Sequence, residues 1–558
     1  MNYFLRFLPD LYGRLLLLQA LIIVRPILGG FGFLLIVPLL GFIGLTDQTP
    51  PESTAWLLEL IPDFESGTAV LLTLLLIMLT LAIVSFSQNL FAEATEHALM
   101  LQLRQHLCQM TLNASWQFLA GVHSADFTRM VTDDVESAIT ALDEVFQTVS
   151  TTFLIGVYIL ICLALSPQLT LLAVATGVVM LLAVMPLQTR VAAAGQNQFN
   201  SYEALYRRAQ EGIQGIKSIK GNRAESLHQD RFADNISDLR KTSMQYSVAT
   251  ALARLVHSLV AAVAFFVLAW FAMAADSLDV TLIILLAVIF SRVLPLVSAL
   301  QNHVQRLIYI YPEIDRLALY LQAAEKNQEH PGKGQHVDFS KGIRLSEVSC
   351  QHPGERTSRL EYSDLNLQPD KIIVIHGPSG IGKTTLVDLI AGILLPTSGK
   401  ISAGGVTLTT ATQQDWRQDI AYLPQEPFLI AGSVRSNLNL LVNKPVSDLS
   451  LLAALELADA RFILESPAGL DTLIEPGGSN LSGGERQRLI LARALLLDQR
   501  VMIFDESTSQ LDIQSESAFM QTIRSLKANR TIVVISHRPS IRQYADQLIE
   551  IPASAATG

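Results

Sequence analysis

Gly377-Pro378-Ser379-Gly380-Ile381-Gly382-Lys383-Thr384-Thr385 follows the apolar run 372–375 and precedes a second apolar stretch at 386–391. The first run predicts a buried strand and the second a helix, so the nine residues between them form a glycine-rich turn that opens the helix. In that setting the glycines let backbone N–H groups close around phosphate oxygens. Lys383 can reach the β- and γ-phosphates of a nucleotide, and the Thr384 hydroxyl can ligate Mg²⁺. The helix N-terminus adds positive potential at the same point, with Thr385 in its first turn. The bare pattern occurs by chance; the strand-to-helix context carries the reading.

Outward from this loop, the chain before about residue 320 has the composition of a membrane segment. Hydrophobic residues make up 50% of the 558 residues and charged residues 16%, and mean hydropathy is +0.37. These values depart from the soluble average. Apolar runs fall at 15–45, 69–86, 145–165, 169–187, 255–275 and 278–300, each about the 20 residues that a helix needs to cross hydrocarbon. Six spans are expected. Buried soluble helices could account for one or two such runs, but not for six in one half of a chain.

Charge sets their direction, because short cytoplasmic loops collect Lys and Arg. The connection after the first span holds Asp47, Glu52, Glu59, Asp63 and Glu65 without Lys or Arg, and Ser166-Pro167-Gln168 and the turn with Asp276 and Asp279 also lack them. The opposite connections, 93–144 and 188–254, carry Arg104, Arg129, Arg190, Arg207, Arg208, Lys217, Lys220, Arg223, Arg231, Arg240 and Lys241. Both termini are therefore expected in the cytoplasm, where ATP is. These basic connections are too long for simple loops, and their helix-forming composition predicts spans that continue well past the membrane.

No small-residue cleavage pattern follows the first apolar run, so a removable signal peptide is not expected; residues 1–12 are read as lying along the inner membrane surface. Cys108, Cys162 and Cys350 form no close pair, which argues against a disulfide framework or a zinc site. The net charge of −10 and the lack of a basic stripe argue against a nucleic-acid surface. The division expected is 1–320 membrane domain, 321–341 linker and 342–558 soluble α/β domain. The linker assignment rests on the polar stretch 322–335 with Pro331, Gly332 and Gly334.

Within the soluble part, Val501-Met502-Ile503-Phe504-Asp505-Glu506 is an apolar strand ending in two carboxylates. With a phosphate loop upstream, Asp505 is suited to hold Mg²⁺ and Glu506 to polarise an attacking water. Hydrolysis needs cation, base and N–H donors prepositioned, since water is a weak nucleophile and the transferred group carries dispersed negative charge.

Between the two elements stands Leu481-Ser482-Gly483-Gly484-Glu485-Arg486-Gln487-Arg488, which resembles the signature motif of ATP-binding cassette (ABC) proteins. Six spans followed by one cassette is similar to the half-size ABC exporters, and the resemblance covers the whole chain. It implies a membrane all-α six-helix domain plus a cytoplasmic α/β P-loop ATPase domain. It also implies ATP and Mg²⁺ as ligands, and a site in which Ser482, Gly483 and Gly484 face the ATP held by the opposite cassette. By the same resemblance Gln425, in Tyr422-Leu423-Pro424-Gln425, senses the γ-phosphate and Mg²⁺. Asp512, in Ser509-Gln510-Leu511-Asp512, crosses the dimer interface, and His537 contacts the γ-phosphate. Trp116-Gln117-Phe118 with Asp126, Arg129, Asp133 and Asp134, and the stretch 211–220, resemble the two cytoplasmic coupling regions.

This chain departs from the family at three places. His352 stands where the family stacks adenine on an aromatic ring, Gln510 stands where alanine is more usual, and 472–478 differs from the exporter pattern. An imidazole can still stack, over a smaller area. One chain carries one cassette with Lys383, Ser482, Glu506 and His537 intact, so the simplest assembly is a homodimer in a bacterial inner membrane. The expected function is ATP-driven export or flipping of an amphipathic cargo: a lipid, a lipid-linked glycan or a peptide-like molecule. An ATP-gated channel or regulator, or one half of a heterodimer, is the alternative. Arg25, Arg254 and Arg292, with His257, lie in or beside apolar spans and are candidates for contact with an anionic cargo, or for snorkelling to the interface. No N-terminal peptidase domain precedes the first span, so a leader-cleaving peptide exporter is not expected.

Overall fold

The computed structural model describes residues 13–14, 17–18, 20, 24, 67–165, 167–274, 280–351, 359–378, 380–442, 444, 446–507 and 513–551. The chain divides into two compact units, Met1–Cys108 with Ala125–Gln322 and Gln109–Ser124 with Ala323–Gly558. The expected first span and the acidic outer loop after it lie almost wholly outside the described residues.

Long helices make up the first unit: α1 Gly67–Leu112, α2 Val135–Leu165, α3 Pro167–Gln214, α4 Glu225–Ala274 and α5 Val280–Lys326. Four of them have 46 to 50 residues. At a rise of 1.5 Å per residue that is about 70 Å, more than twice the hydrocarbon thickness. Each of these four runs that length as one helix. Pro186 lies inside α3, and Pro295 and Pro312 inside α5, without ending them. On α1, Leu72 (66% exposed), Leu76 (64%) and Phe86 (69%) face outward. A helix that carries its largest apolar groups on the outside needs an apolar solvent. Among the described residues Leu71–Leu112 is long and apolar enough to cross a membrane.

The polar ends of these helices are joined by buried charges. Asp134, fully buried, accepts from Arg316 Nε at 2.9 Å and Nη2 at 2.5 Å. Arg129 and Arg316 both lie over the Phe199 ring, 5.8 and 5.7 Å from its centroid. Glu144, also buried, accepts from Arg306 at 3.1 Å and meets the His303 ring. Asp134, grouped in sequence with a coupling surface, is thus an internal tie between the segment ahead of α2 and helix α5.

The second unit is built on two sheets. The parallel sheet has the order β12 (Gln547–Glu550), β4 (Ile372–His376), β11 (Thr531–Ile535), β10 (Val501–Asp505), β7 (Ile420–Leu423). An antiparallel sheet joins β2 (Arg359–Tyr362), β1 (Ile343–Gln351), β5 (Ser398–Ala403) and β6 (Val406–Thr407), with β3 (Leu365–Leu367) also on β1. Successive residues of β4 serve opposite faces: Ile373 and Ile375 join the core under α6 (Lys383–Ile390). Ile372 and Val374 join the core that holds α7 (Gly483–Leu496) and α8 (Ile513–Ser525). A parallel sheet covered on both faces demands this continuous apolar run, the physical cause of the strand signal at 372–375. Each such side chain contributes about 1.5–3 kcal/mol through burial.

Candidate ATP site

The site lies beyond the carboxyl ends of adjacent parallel strands, where a doubly covered sheet leaves its ligand crevice. The phosphate loop leaves β4, His537 follows β11, Asp505 ends β10 with Glu506 just past it, and Gln425 follows β7. Four strands therefore bring residues from distant parts of the sequence to one rim.

The loop's shape depends on glycine at two points. Gly380 and Gly382 have φ of +80° and +95°, a region L side chains avoid. At Gly382 a Cβ would also stand 2.8 Å from Leu360 Cδ1 and from the Tyr362 hydroxyl. That hydroxyl donates to the Gly382 carbonyl at 2.7 Å, which pins the turn into α6. Burial raises the Tyr362 phenol well above its ordinary pKa, so it stays a donor. Lys383, only 5% exposed, donates to the carbonyls of Gly377 at 2.8 Å and Pro378 at 2.9 Å, which holds its ammonium across the loop mouth.

Thr384 Oγ1 and Asp505 Oδ1 face each other at 3.5 Å. The other Asp505 oxygen is 3.3 Å from the Tyr422 hydroxyl, which also lies 3.2 Å from Asp388 Oδ1. Burial raises the Asp505 carboxyl above its ordinary value and the Glu506 charge adds to this, against hydrogen bonds from Tyr422 and Thr384 and the Lys383 charge. A hydroxyl and a carboxylate oxygen converging beside a phosphate loop are hard donors of the kind Mg²⁺ takes alongside phosphate oxygens and water. The donor set fits that ion.

Glu506 has φ of +44°, uncommon for a residue with a side chain. Gln425 Nε2 donates to its Oε2 at 3.0 Å, and His537 Nδ1 stands 3.9 Å from its Oε1. The structure thus brings Gln425, Glu506 and His537 together, next to Thr384 and Asp505. Two aromatic residues that the sequence reading passed over also hold this site, Tyr362 and Tyr422. Tyr422 stood inside a quoted motif; nothing local marked Tyr362.

Ser482 takes another position. It is the N-cap of α7, and its hydroxyl and amide both donate to the Glu485 carboxylate at 2.7 Å, while the Glu485 amide donates back to the hydroxyl at 3.3 Å. Gly483 and Gly484 follow in the first turn. The bonds of Ser482 are thus local to its own helix. Ser379, His352, Asp512 and Arg25 lie outside the described residues. Arg292 falls within α5, and Arg254 is exposed on α4. Beneath the Gln425 loop, Tyr422, Leu423, Phe428, Leu441, Ile490 and Arg493 line a cavity of about 250 Å³. Arg493, with its pKa lowered by burial to about 10, holds the loop there by donating to the Phe428 and Asn437 carbonyls, each at 2.7 Å.

Comparison with known proteins agrees with this geometry. The family model for the ABC transporter transmembrane region matches residues 35–294, and the ABC transporter family model matches 360–509. An ATP-dependent lipid A-core flippase of Ralstonia nicotianae is 27% identical over 474 residues, covering 84% of this chain and 80% of that protein. The flippase of the same description from Burkholderia thailandensis is 30% identical over 61% of this chain, the match spanning 57% of its own length. A lactococcin-A transport/processing ATP-binding protein of Lactococcus lactis is 28% identical over 61% of this chain and 48% of that protein. The structure of a bacterial Atm1-family ABC exporter with ATP bound shares the fold, with a TM-score of 0.78 and 19% identity over 97% of this chain and 94% of that one. The chain belongs to the ABC transporter family, as a half-size exporter whose membrane region is fused to one ATP-binding cassette. It is a multi-pass membrane protein that couples ATP hydrolysis to transport.

Proposed function

We propose that this chain works as a homodimer in a bacterial inner membrane and moves an amphipathic molecule with an anionic group, of the lipid or lipid-linked glycan class, from the cytoplasmic side outward. Residues 1–320 form the membrane domain, 321–341 the connection and 342–558 the cassette. The observation that carries the reading is Glu506, aimed by its unusual backbone between Gln425 and His537 and next to the Thr384–Asp505 pair.

In the reaction, the amides of 377–385 and the Lys383 ammonium bind the β- and γ-phosphates. Thr384, Asp505 and Gln425 would hold Mg²⁺, which when bound would supply charge neutralisation at those phosphates. Glu506 takes a proton from the attacking water as its oxygen bonds to the γ-phosphorus and the bond to ADP breaks. His537 donates to the γ-phosphate, and Gln425 orients the water and the Glu506 carboxylate. Ser482, Gly483 and Gly484 of one chain close over the nucleotide of the other, with His352 against adenine and Asp512 at the dimer interface. ATP binds the closed dimer more tightly than the open one and so shifts the membrane helices from inward to outward access; hydrolysis resets them.

The flippase relatives support a lipid-like cargo, and Arg25, Arg254 and Arg292 are the cationic candidates to meet its head group. ATPase activity in lipid nanodiscs, titrated with glycolipids, phospholipids and hydrophobic peptides, tests this. Stimulation confined to the acidic lipids, and lost in Arg292→Gln with basal turnover intact, is expected. Stimulation by peptides alone would overturn the cargo class. Glu506 and the intact signature stretch favour active transport over an ATP-gated channel, and make an unequal partner chain unnecessary.

A further inference from the structure

The segment joining the two halves has the composition of a loose polar tether, yet its backbone is held at Glu329 and at each of 332–335. Asp415, 2% exposed, accepts from the amides of Lys333 at 2.9 Å, Gly334 at 3.1 Å and Gln335 at 3.0 Å. The Gly332 amide donates to Gln414 Oε1 at 3.1 Å, and Arg417 pairs with Glu329. Gly332 is required by this approach, since a Cβ there would overlap the Asp415 carboxylate and stand 2.9 Å from its Cγ. A carboxylate that takes three main-chain donors on one short turn fixes the course of the chain more firmly than any single side-chain contact.

The turn that carries Asp415, Gln413–Arg417, is bonded on its other side to the end of the phosphate-loop helix. Trp416 Nε1 donates to the Ile390 carbonyl at 2.8 Å, and Gln413 Nε2 to the Gly392 carbonyl at 2.9 Å. Phe339 stacks edge-on against Trp416, with ring centroids 5.1 Å apart. The pinned segment also continues in the opposite direction. The Glu329 amide donates to the Asn113 carbonyl at 2.9 Å, the Ser115 amide to the Asn327 carbonyl at 2.8 Å, and Gln328 Nε2 to the Met110 carbonyl at 2.7 Å. Ser115 is the N-cap residue of the short helix Trp116–Leu119, between α1 and α2.

We infer that Asp415 is a positioning residue for energy coupling: it clamps the connecting segment between the phosphate-loop helix and the turn at 113–115, so that motion of the nucleotide site is passed to the α1–α2 connection through main-chain hydrogen bonds. Glu329 is the joint of this path, because its amide holds Asn113 and its carboxylate holds Arg417. The inference rests on the ATP-driven transport reading and adds a route within one chain.

Hydrogen exchange of the full-length protein in phospholipid nanodiscs, with and without Mg·ATP, tests it in Asp415→Ala and Gly332→Ala. Both variants should hydrolyse ATP within about threefold of wild type and keep the ATP-induced protection of the cassette. The ATP-induced change in exchange at 67–108 and 125–322 should fall at least fivefold, with faster exchange at the amides of 333–335. Gly332→Ala leaves Asp415 and its helical turn in place, so it decides the matter if Asp415→Ala does not fold. Membrane-half responses equal to wild type in either folded variant would overturn the inference. So would parallel loss of ATPase and of both responses, which marks a merely structural contact. A wild-type protein whose membrane helices do not respond to ATP would overturn the transport reading, and the clamp with it.

Discussion

Two glycine-rich helix starts in the cassette, 377–382 before α6 and 482–484 before and into α7, use glycine for different reasons. In the first, Gly380 and Gly382 adopt positive φ, and the Gly382 position leaves no space for a side chain. In the second, Gly483 and Gly484 are in ordinary helix, begun by Ser482 at φ −65° and closed by Glu485 in a capping box. The first loop is fully engaged with its own chain: β4 beneath it, Tyr362 against it, Asp505 and Thr384 at its side. The second lies at an exposed serine with nothing larger than hydrogen on the next two residues. One is a loop held in shape within its own chain; the other is an exposed helix start, proposed above to close over the nucleotide of a second chain.

The sharpest test of the first half of that contrast is Glu506→Gln. The amide keeps the shape and cannot accept the proton, so turnover should fall by about 10²- to 10⁴-fold while ATP still binds. Turnover near wild type, measured as phosphate release, would remove Glu506 as the base.

Complementation breaks or confirms the second half. Lys383→Ala and Ser482→Arg homodimers should each lose most activity. A mixed dimer carrying one of each variant has one site with both elements intact, and should recover up to about half of wild-type turnover if the sites are shared between chains. A mixed dimer as inactive as its parents would mean that each chain completes its own site.

Acid should weaken the cradle before it weakens the serine face. Because the Asp505 pKa is raised in the folded protein, its proton returns at a higher pH than on a free aspartate. Mg²⁺-dependent ATP binding should therefore decline, as pH falls, above the usual carboxylate range. Excess Mg²⁺ should push the midpoint down, since the ion binds only the ionised form. Stability takes the opposite sign: a raised carboxyl makes its charged form a cost to the fold at higher pH, so acidification through that pKa should not itself destabilise the cassette. An acid limb insensitive to Mg²⁺ would separate the loss from Asp505.

The smallest effect belongs to Tyr362→Phe. Loss of its bond to the Gly382 carbonyl should cost about 1 kcal/mol of loop stability, some fivefold in ATP affinity, with turnover at saturation preserved. Unchanged affinity by nucleotide titration would show that the glycine conformation alone holds the cradle.

Much of this protein could be read from the chain alone. The phosphate loop, the strand ending in Asp505 and Glu506 and the long apolar helices all announce themselves, because burial on both faces of a parallel sheet, or in lipid, writes continuous apolar runs into the sequence. The order of motifs along the chain carries the family resemblance by itself. The tertiary structure decided what those patterns leave open. Thr384 meets Asp505 across 121 positions, Tyr362 closes on Gly382 from a different sheet, and Asp415 turns a polar connection into a fixed strap from 82 positions away. Local patterns record which face of an element is buried and where a turn must fall. Which oxygen faces which hydroxyl depends on the strand order β12-β4-β11-β10-β7, and strand order arises from packing between distant segments that no window of sequence contains.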